Sequence, residues 1–106
     1  MRIYVAGPYR LGDVAANVRW AMDAGTALLA MGHAPFVPVL NHYWNLHAPH
    51  PERTWLDLDL AWLRVSDAVL RLPGHSEGAD CECELARALE IPVFGSLSDV
   101  PATSAR

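Results

Sequence analysis

The stretch "DAVLRLPGHSEGADCECELARALEIPVF", residues 67–94, decides the fold. "DAVLRL" (67–72) is an apolar, strand-favouring run that stops at "PGHSEG", a turn built on Pro and Gly. Residues 77–90 then carry helical spacing, and "IPVFGS" (91–96) is a second apolar run. A strand, a helix and a strand in such close succession make a parallel crossover unit, which is right-handed.

Toward the N-terminus the same alternation repeats. "RIYVA" (2–6) is β-branched and aromatic and ends at Gly7-Pro8, as a buried strand does. From Asp13, an N-cap, the residues Val14, Val18, Met22, Gly25 and Leu29 recur at three or four positions until Gly32 closes the helix. "APFVPVL" (34–40) reads as a short strand that frays at Pro38, and "PERTWLDLDLAWLRVSD" (51–67) as a helix opened by Pro51. Between them "NHYWNLHAPHPE" (41–52) has no sustained period and reads as an unusually long loop, the kind of segment that carries function.

This order predicts an α/β protein: a single-domain, three-layer α/β/α, flavodoxin- or Rossmann-like fold on a parallel sheet of about four to five strands. The domain is expected over residues 1–96, with 97–106 a loosely held tail. In such sheets ligands sit at the carboxyl ends of the strands, where the loops after Ala6, Val39, Leu72 and Phe94 converge.

The chain has 106 residues, 52% hydrophobic and 19% charged, enough for one domain with a real core and too few for two. Its net charge of −4 and the absence of Lys exclude a broad phosphate-backbone interface, so no nucleic acid polymer is expected as partner. One small nucleotide remains compatible with an Arg and a few amides. Cys81 and Cys83 project roughly 200° apart on the predicted helix and do not bridge each other, which suits a reducing compartment. With no signal-like or membrane-length apolar run, the expected location is the cytoplasm, without a membrane partner. A sheet this small leaves apolar surface to cover, so a homodimer or higher homo-oligomer is expected.

The acids of the 76–94 stretch separate by helix face, because neighbours on a helix lie three and four positions away. Glu84 stands between Asp80 and Arg87, and Asp80 between Glu77 and Glu84, both solvated surroundings. Glu82 instead has Gly78, Ala79, Leu85 and Ala86 around it, the face that must press on the sheet. A carboxylate there is costly unless it is hydrogen-bonded or paired. On the preceding helix Asp57 has Arg53 as an ordinary surface partner, whereas Asp59 lies among Trp55, Leu56, Trp62 and Leu63 with no basic neighbour. One such acid is as readily a structural cap; two, on helices that flank one strand, point to a site.

These residues carry a resemblance. "RIYVAGPYR", "DLAWLRVSDAVL" and the pattern Ser76-x-Gly78-x-x-x-Glu82, followed by Pro92-Val93, resemble the nucleoside 2-deoxyribosyltransferase superfamily. Within it the chain is similar to the 2′-deoxynucleoside 5′-monophosphate N-hydrolases, and with "GHAPFVP" and "HYWNLHAPHPERTWLDLDLAWL" it looks closer still to a bacterial and phage branch. The resemblance spans roughly residues 2–95 and rests on three separated motifs. It implies Glu82 as the nucleophile on C1′, Asp59 as the group assisting the leaving base, and Tyr4 as the hydroxyl bonded to the nucleophile. It also implies Arg10 and Ser76 at the 5′ end of the substrate, beside Gly7 and Gly78 of the two motifs. Where the hydrolases carry Gly-Ser-x-Arg this chain has Gly7-Pro8-Tyr9-Arg10, which removes one hydroxyl donor.

The implied reaction is cleavage of the N-glycosidic bond of a nucleoside or nucleoside 5′-monophosphate through a glycosyl-Glu82 ester, by hydrolysis or base transfer, hydrolysis being favoured by Arg10 and Ser76. The competing reading is a non-catalytic nucleotide-binding module or sensor on the same fold. Trp44 offers a flat surface on which a base can stack. His42, His47 and His50 fit no tight ligand spacing, so neither a metal nor another cofactor is expected.

Overall fold

The computed structural model describes residues 1–103. Four parallel strands, β1 (Arg2–Ala6), β2 (Ala34–Phe36), β3 (Ala68–Arg71) and β4 (Val93–Phe94), form one sheet in the order β2-β1-β3-β4. Four helices connect them: α1 (Val14–Ala30), α2 (Asn41–His47), α3 (Glu52–Arg64) and α4 (Glu77–Ala88). The predicted α/β fold with a parallel sheet is therefore the observed one, with four strands.

Strand order fixes the layers. The chain steps from β1 outward to β2, then back across β1 to β3 and on to β4, so right-handed crossovers place α1 on one face and α3 and α4 on the other. The α1 face packs Ile3, Val5, Ala68 and Leu70 against Ala21, Ala24 and Leu28. The opposite face packs Tyr4, Ala6 and Val69 against Leu63, Ala79, Cys83 and Ala86. Period-two alternation along β1 and β3 divides these residues between the faces. Reversal of the winding direction between β1 and β3 opens a crevice at their carboxyl ends.

The α1 stripe differs from expectation. Val18 and Gly25 are buried as predicted, but Leu29 is 62% exposed and the sheet-facing positions are filled by Ala21, Ala24 and Leu28. Small residues let the helix approach closely: a Cβ at Gly25 would stand 3.1 Å from Val37 Cγ2. Asp13 caps the helix, accepting from the Ala16 amide at 3.2 Å. Its other end closes on Gly32 (φ 88°), with the His33 amide bonded to the Leu28 carbonyl.

Three expectations for irregular segments are corrected. The strand predicted over 34–40 ends at Phe36, because Pro38 opens a 3₁₀ turn (Pro38–Leu40); Pro35 is tolerated because β2 is an edge strand. The long loop predicted over 41–52 contains α2. That helix buries no residue, so it has no apolar stripe to register as a period; polar side chains fasten it instead. The tail predicted as loose from 97 is held as far as 103: Val100 is 4% exposed in the α1-side core, and His33 Nε2 donates to the Pro101 carbonyl at 2.7 Å. Thr103 also donates to the Met31 carbonyl through its amide at 3.2 Å and its hydroxyl at 3.1 Å. The rest of the predicted tail, 104–106, lies outside the described residues. No described helix is long and apolar enough to cross a membrane.

Two stability outcomes follow. Glu90 sits one residue past the α4 cap at φ 60°, a left-handed conformation that costs a side-chain-bearing residue about 1 kcal/mol. Glu90→Gly is expected to raise stability by about 0.5–1 kcal/mol in urea unfolding, and a lower midpoint would refute the strain. Val100→Ala is expected to cost about 1–2 kcal/mol in the same assay; no change would mean the segment after 96 adds nothing to the core.

Candidate active site

The crevice predicted by strand order is an open cleft of about 1020 Å³. Gly7, Tyr9 and Arg10 line it from the loop after β1, Asn41, His42 and Asn45 from α2, and Trp55 and Asp59 from α3. Residues 75–79, with Cys81, Glu82 and Leu85, close it from the start of α4. Glycine at position 7 is a packing requirement, since an added Cβ would lie 3.0 Å from Leu72 Cβ where the exits of β1 and β3 meet.

Glu82 and Asp59 both line this cleft, half-buried, and the Glu82 charge acts on Asp59. Tyr4 lies beneath them, fully buried in β1, and its hydroxyl donates to Glu82 Oε2. Burial, and then the Glu82 charge, hold the Tyr4 hydroxyl far above its ordinary range, so it stays a donor. Burial also raises the Glu82 carboxyl, opposed by the Tyr4 hydrogen bond and the Arg71 charge. Asp59 is pushed up to about 7 by burial and by Glu82, against a 2.8 Å hydrogen bond that Asn41 Nδ2 donates to its Oδ1. Tyr4 and Arg71 favour the negative charge on Glu82, and Asp59 is left to hold a proton near neutral pH.

The remaining predicted residues are placed as follows. Arg10 stands at the mouth, 67% exposed and 3.5 Å from Glu52, a loose surface pair worth little. Ser76 caps α4, its hydroxyl accepting from the Ala79 amide at 3.1 Å. Gly78 borders the cleft in the first turn of α4, with open space where a side chain would be. Trp44 does not line the cleft; it is 54% exposed and packs edge-on against Trp55, 5.1 Å between ring centroids. Trp55 is the aromatic wall, its indole N–H donating to Asn45 Oδ1 at 2.8 Å. His42 is bonded to the Tyr9 hydroxyl at 2.6 Å, and His50 packs against Trp55.

Trp55, Asn41 and Arg71 escaped assignment for different reasons. Trp55 stands four residues before Asp59 and so shares its face, a signal present in the helical spacing. Arg71 is a charged residue closing a buried strand at the ligand-binding end of the sheet, also a readable signal. Asn41 had none, because its position depends on α2.

A family model described as a domain of unknown function, DUF7768, matches residues 1–95. The chain belongs to this family. No curated protein matches it. Among solved structures, a 2-deoxyribosyltransferase from the psychrotolerant bacterium Bacillus psychrosaccharolyticus superposes with a TM-score of 0.68 at 22% identity, covering 92% of this chain and 76% of that one. At that identity the likeness is one of fold.

Linkage gives the pair a sign. Between about pH 4 and 7 the folded chain holds a proton on Asp59 that the unfolded chain releases, so this group's contribution to stability falls as pH rises through that window. Asp59→Asn is expected to be the more stable protein at pH 8, by on the order of 1–2 kcal/mol after allowance for solvent screening, with the difference vanishing toward pH 4. Urea unfolding of both proteins across that range checks it; a difference independent of pH would contradict the raised carboxyl.

Proposed function

We propose that this protein cleaves the N-glycosidic bond of a nucleoside by a double displacement, transferring the sugar first to Glu82 and then to a second base or to water. The observation that carries the reading is the pairing of Glu82, bonded to a buried Tyr4, with Asp59 in one cleft at the switch point of the sheet. A retaining mechanism asks for two carboxyls about 5 Å apart, one ionised and one protonated, and the environments of these two divide the roles in that way.

In the first step the Glu82 carboxylate attacks C1′, the C1′–N bond breaks, and its electron pair leaves with the base. Asp59 delivers its proton to the departing nitrogen, and Asn41 holds the Asp59 carboxyl in orientation. In the second step a new base nitrogen or a water attacks C1′, the ester bond to Glu82 breaks, and Asp59 accepts the attacker's proton. Trp55 supplies the apolar wall against which a base can lie.

Charge favours a nucleoside over its 5′-monophosphate. Glu52, Glu77 and Glu82 face the cleft against the Arg10 guanidinium, which is itself paired with Glu52. Ser76 spends its hydroxyl as a cap, and Glu77 and Asp80 occupy the first turn of α4, where a phosphate would otherwise find the dipole. A dianion entering this field meets net repulsion, whereas a neutral 5′-hydroxyl does not. This turns the preference from hydrolysis of a phosphorylated substrate toward base transfer between nucleosides, the reaction type of the transferase whose fold the chain shares.

The test is product analysis with paired deoxynucleosides and deoxynucleoside 5′-monophosphates, with and without a second free base. Base release or exchange is expected with nucleosides, falling by about 10³-fold or more in Glu82→Ala. Mass spectrometry of the quenched wild type is expected to find a sugar ester on Glu82. Equal release by wild type and Glu82→Ala would reject the mechanism.

A further inference from the structure

Arg71 closes β3 at the carboxyl end of the sheet, and its side chain is 18% exposed. Its guanidinium donates to the Leu72 carbonyl, to the Gly74 carbonyl at 3.0 Å and to the Asp80 carboxylate at 3.0 Å. The first two partners belong to the loop between β3 and α4; the third belongs to the first turn of α4. One planar fork therefore ties that loop to the helix that follows it. The loop conformation is itself constrained, since Gly74 has φ 111° and a Cβ there would lie 2.8 Å from Pro8 Cγ.

The segment so fastened includes His75, Ser76, Glu77 and Gly78 of the cleft wall, and Glu82 follows two residues after Asp80. The groups acting on Glu82 come from the two central strands, the Tyr4 hydroxyl from β1 and the Arg71 charge from β3, while Asp59 of α3 shares the cleft and is itself raised by the Glu82 charge. Farther along the cleft stand Arg10, His42, Glu52, His75 and Glu77. Arg71 is the cation that lowers the Glu82 carboxyl, opposing its burial.

We propose that Arg71 is the positioning residue for Glu82: its guanidinium locks the loop after β3 to Asp80, setting the first turns of α4 that carry Glu82, and brings a fixed positive charge to the turn of that helix just before it. As a role in catalysis this rests on the glycosyl-transfer reading; as a statement about Glu82 ionisation it stands without turnover. Field and clamp are separable. Arg71→Met removes both, while Arg71→Lys keeps the charge and loses the planar fork.

The test is a carbon-13 carboxyl NMR titration of the full chain labelled in glutamate, Glu82 being assigned by its absence in Glu82→Gln. Arg71→Met is expected to move the Glu82 midpoint upward by about one pH unit, with Arg71→Lys close to wild type. On a substrate that turns over, the acid limb of kcat/KM is expected to follow the NMR midpoint in Arg71→Met, and KM to rise several-fold in Arg71→Lys. Asp80→Asn frees Arg71 from its anion and is expected to move the midpoint downward, which keeps the question answerable if Arg71→Met does not fold. An unchanged Glu82 midpoint in Arg71→Met, or an upward one in Asp80→Asn, overturns the proposal. Absence of base release from wild type, with the NMR shifts as expected, overturns the glycosyl-transfer reading and leaves the ionisation role of Arg71 intact.

Discussion

A half-buried carboxylate on the sheet-facing side of a helix is the constraint around which this small domain is built. Removing Glu82 from water carries a desolvation cost, and the chain offsets it with the hydroxyl of a fully buried tyrosine and the charge of Arg71. Both come from central strands, the most rigid part of the sheet, so the carboxylate is held by elements that have little freedom to move. Asp59 then feels Glu82 through low-dielectric surroundings and keeps its proton to about neutral pH.

Topology explains why these groups meet. Tyr4 is on β1, Arg71 ends β3 and Glu82 is on the helix that leaves β3, so the reversal of winding between these two adjacent strands brings them to one rim. Asp59 arrives from the crossover that spans β1, on the same face as α4. The missing side chain at Gly7 lets the exits of the two strands approach, with Leu72 packed on the α1 side of the sheet.

The outer wall obeys different physics. α2 has no buried residue, and its place is set by hydrogen bonds from Asn41 to Asp59, between His42 and Tyr9, and from Trp55 to Asn45. Asn17, buried in α1, in turn holds the Tyr9 loop through the carbonyls of Tyr9 and Leu11, at 3.0 and 2.8 Å. A wall fastened by polar contacts has less cooperative support than one fastened by apolar burial, so it is the side of the cleft suited to adjust to a ligand.

Periodicity in the chain by itself determined the α/β alternation, the parallel sheet and the inward faces of Asp59 and Glu82, because spacing of apolar residues dictates which side of a helix leaves water. It did not determine α2, which has no apolar stripe, nor the packed segment after Ser96, whose attachment depends on Val100 meeting a core assembled from distant strands. Nor did it decide that Trp55 rather than Trp44 faces the cleft, or that Arg71 reaches Asp80. Local pattern fixes the face a residue presents along its own element. Which element stands opposite that face is set by strand order and long-range packing, and only the folded chain decides it.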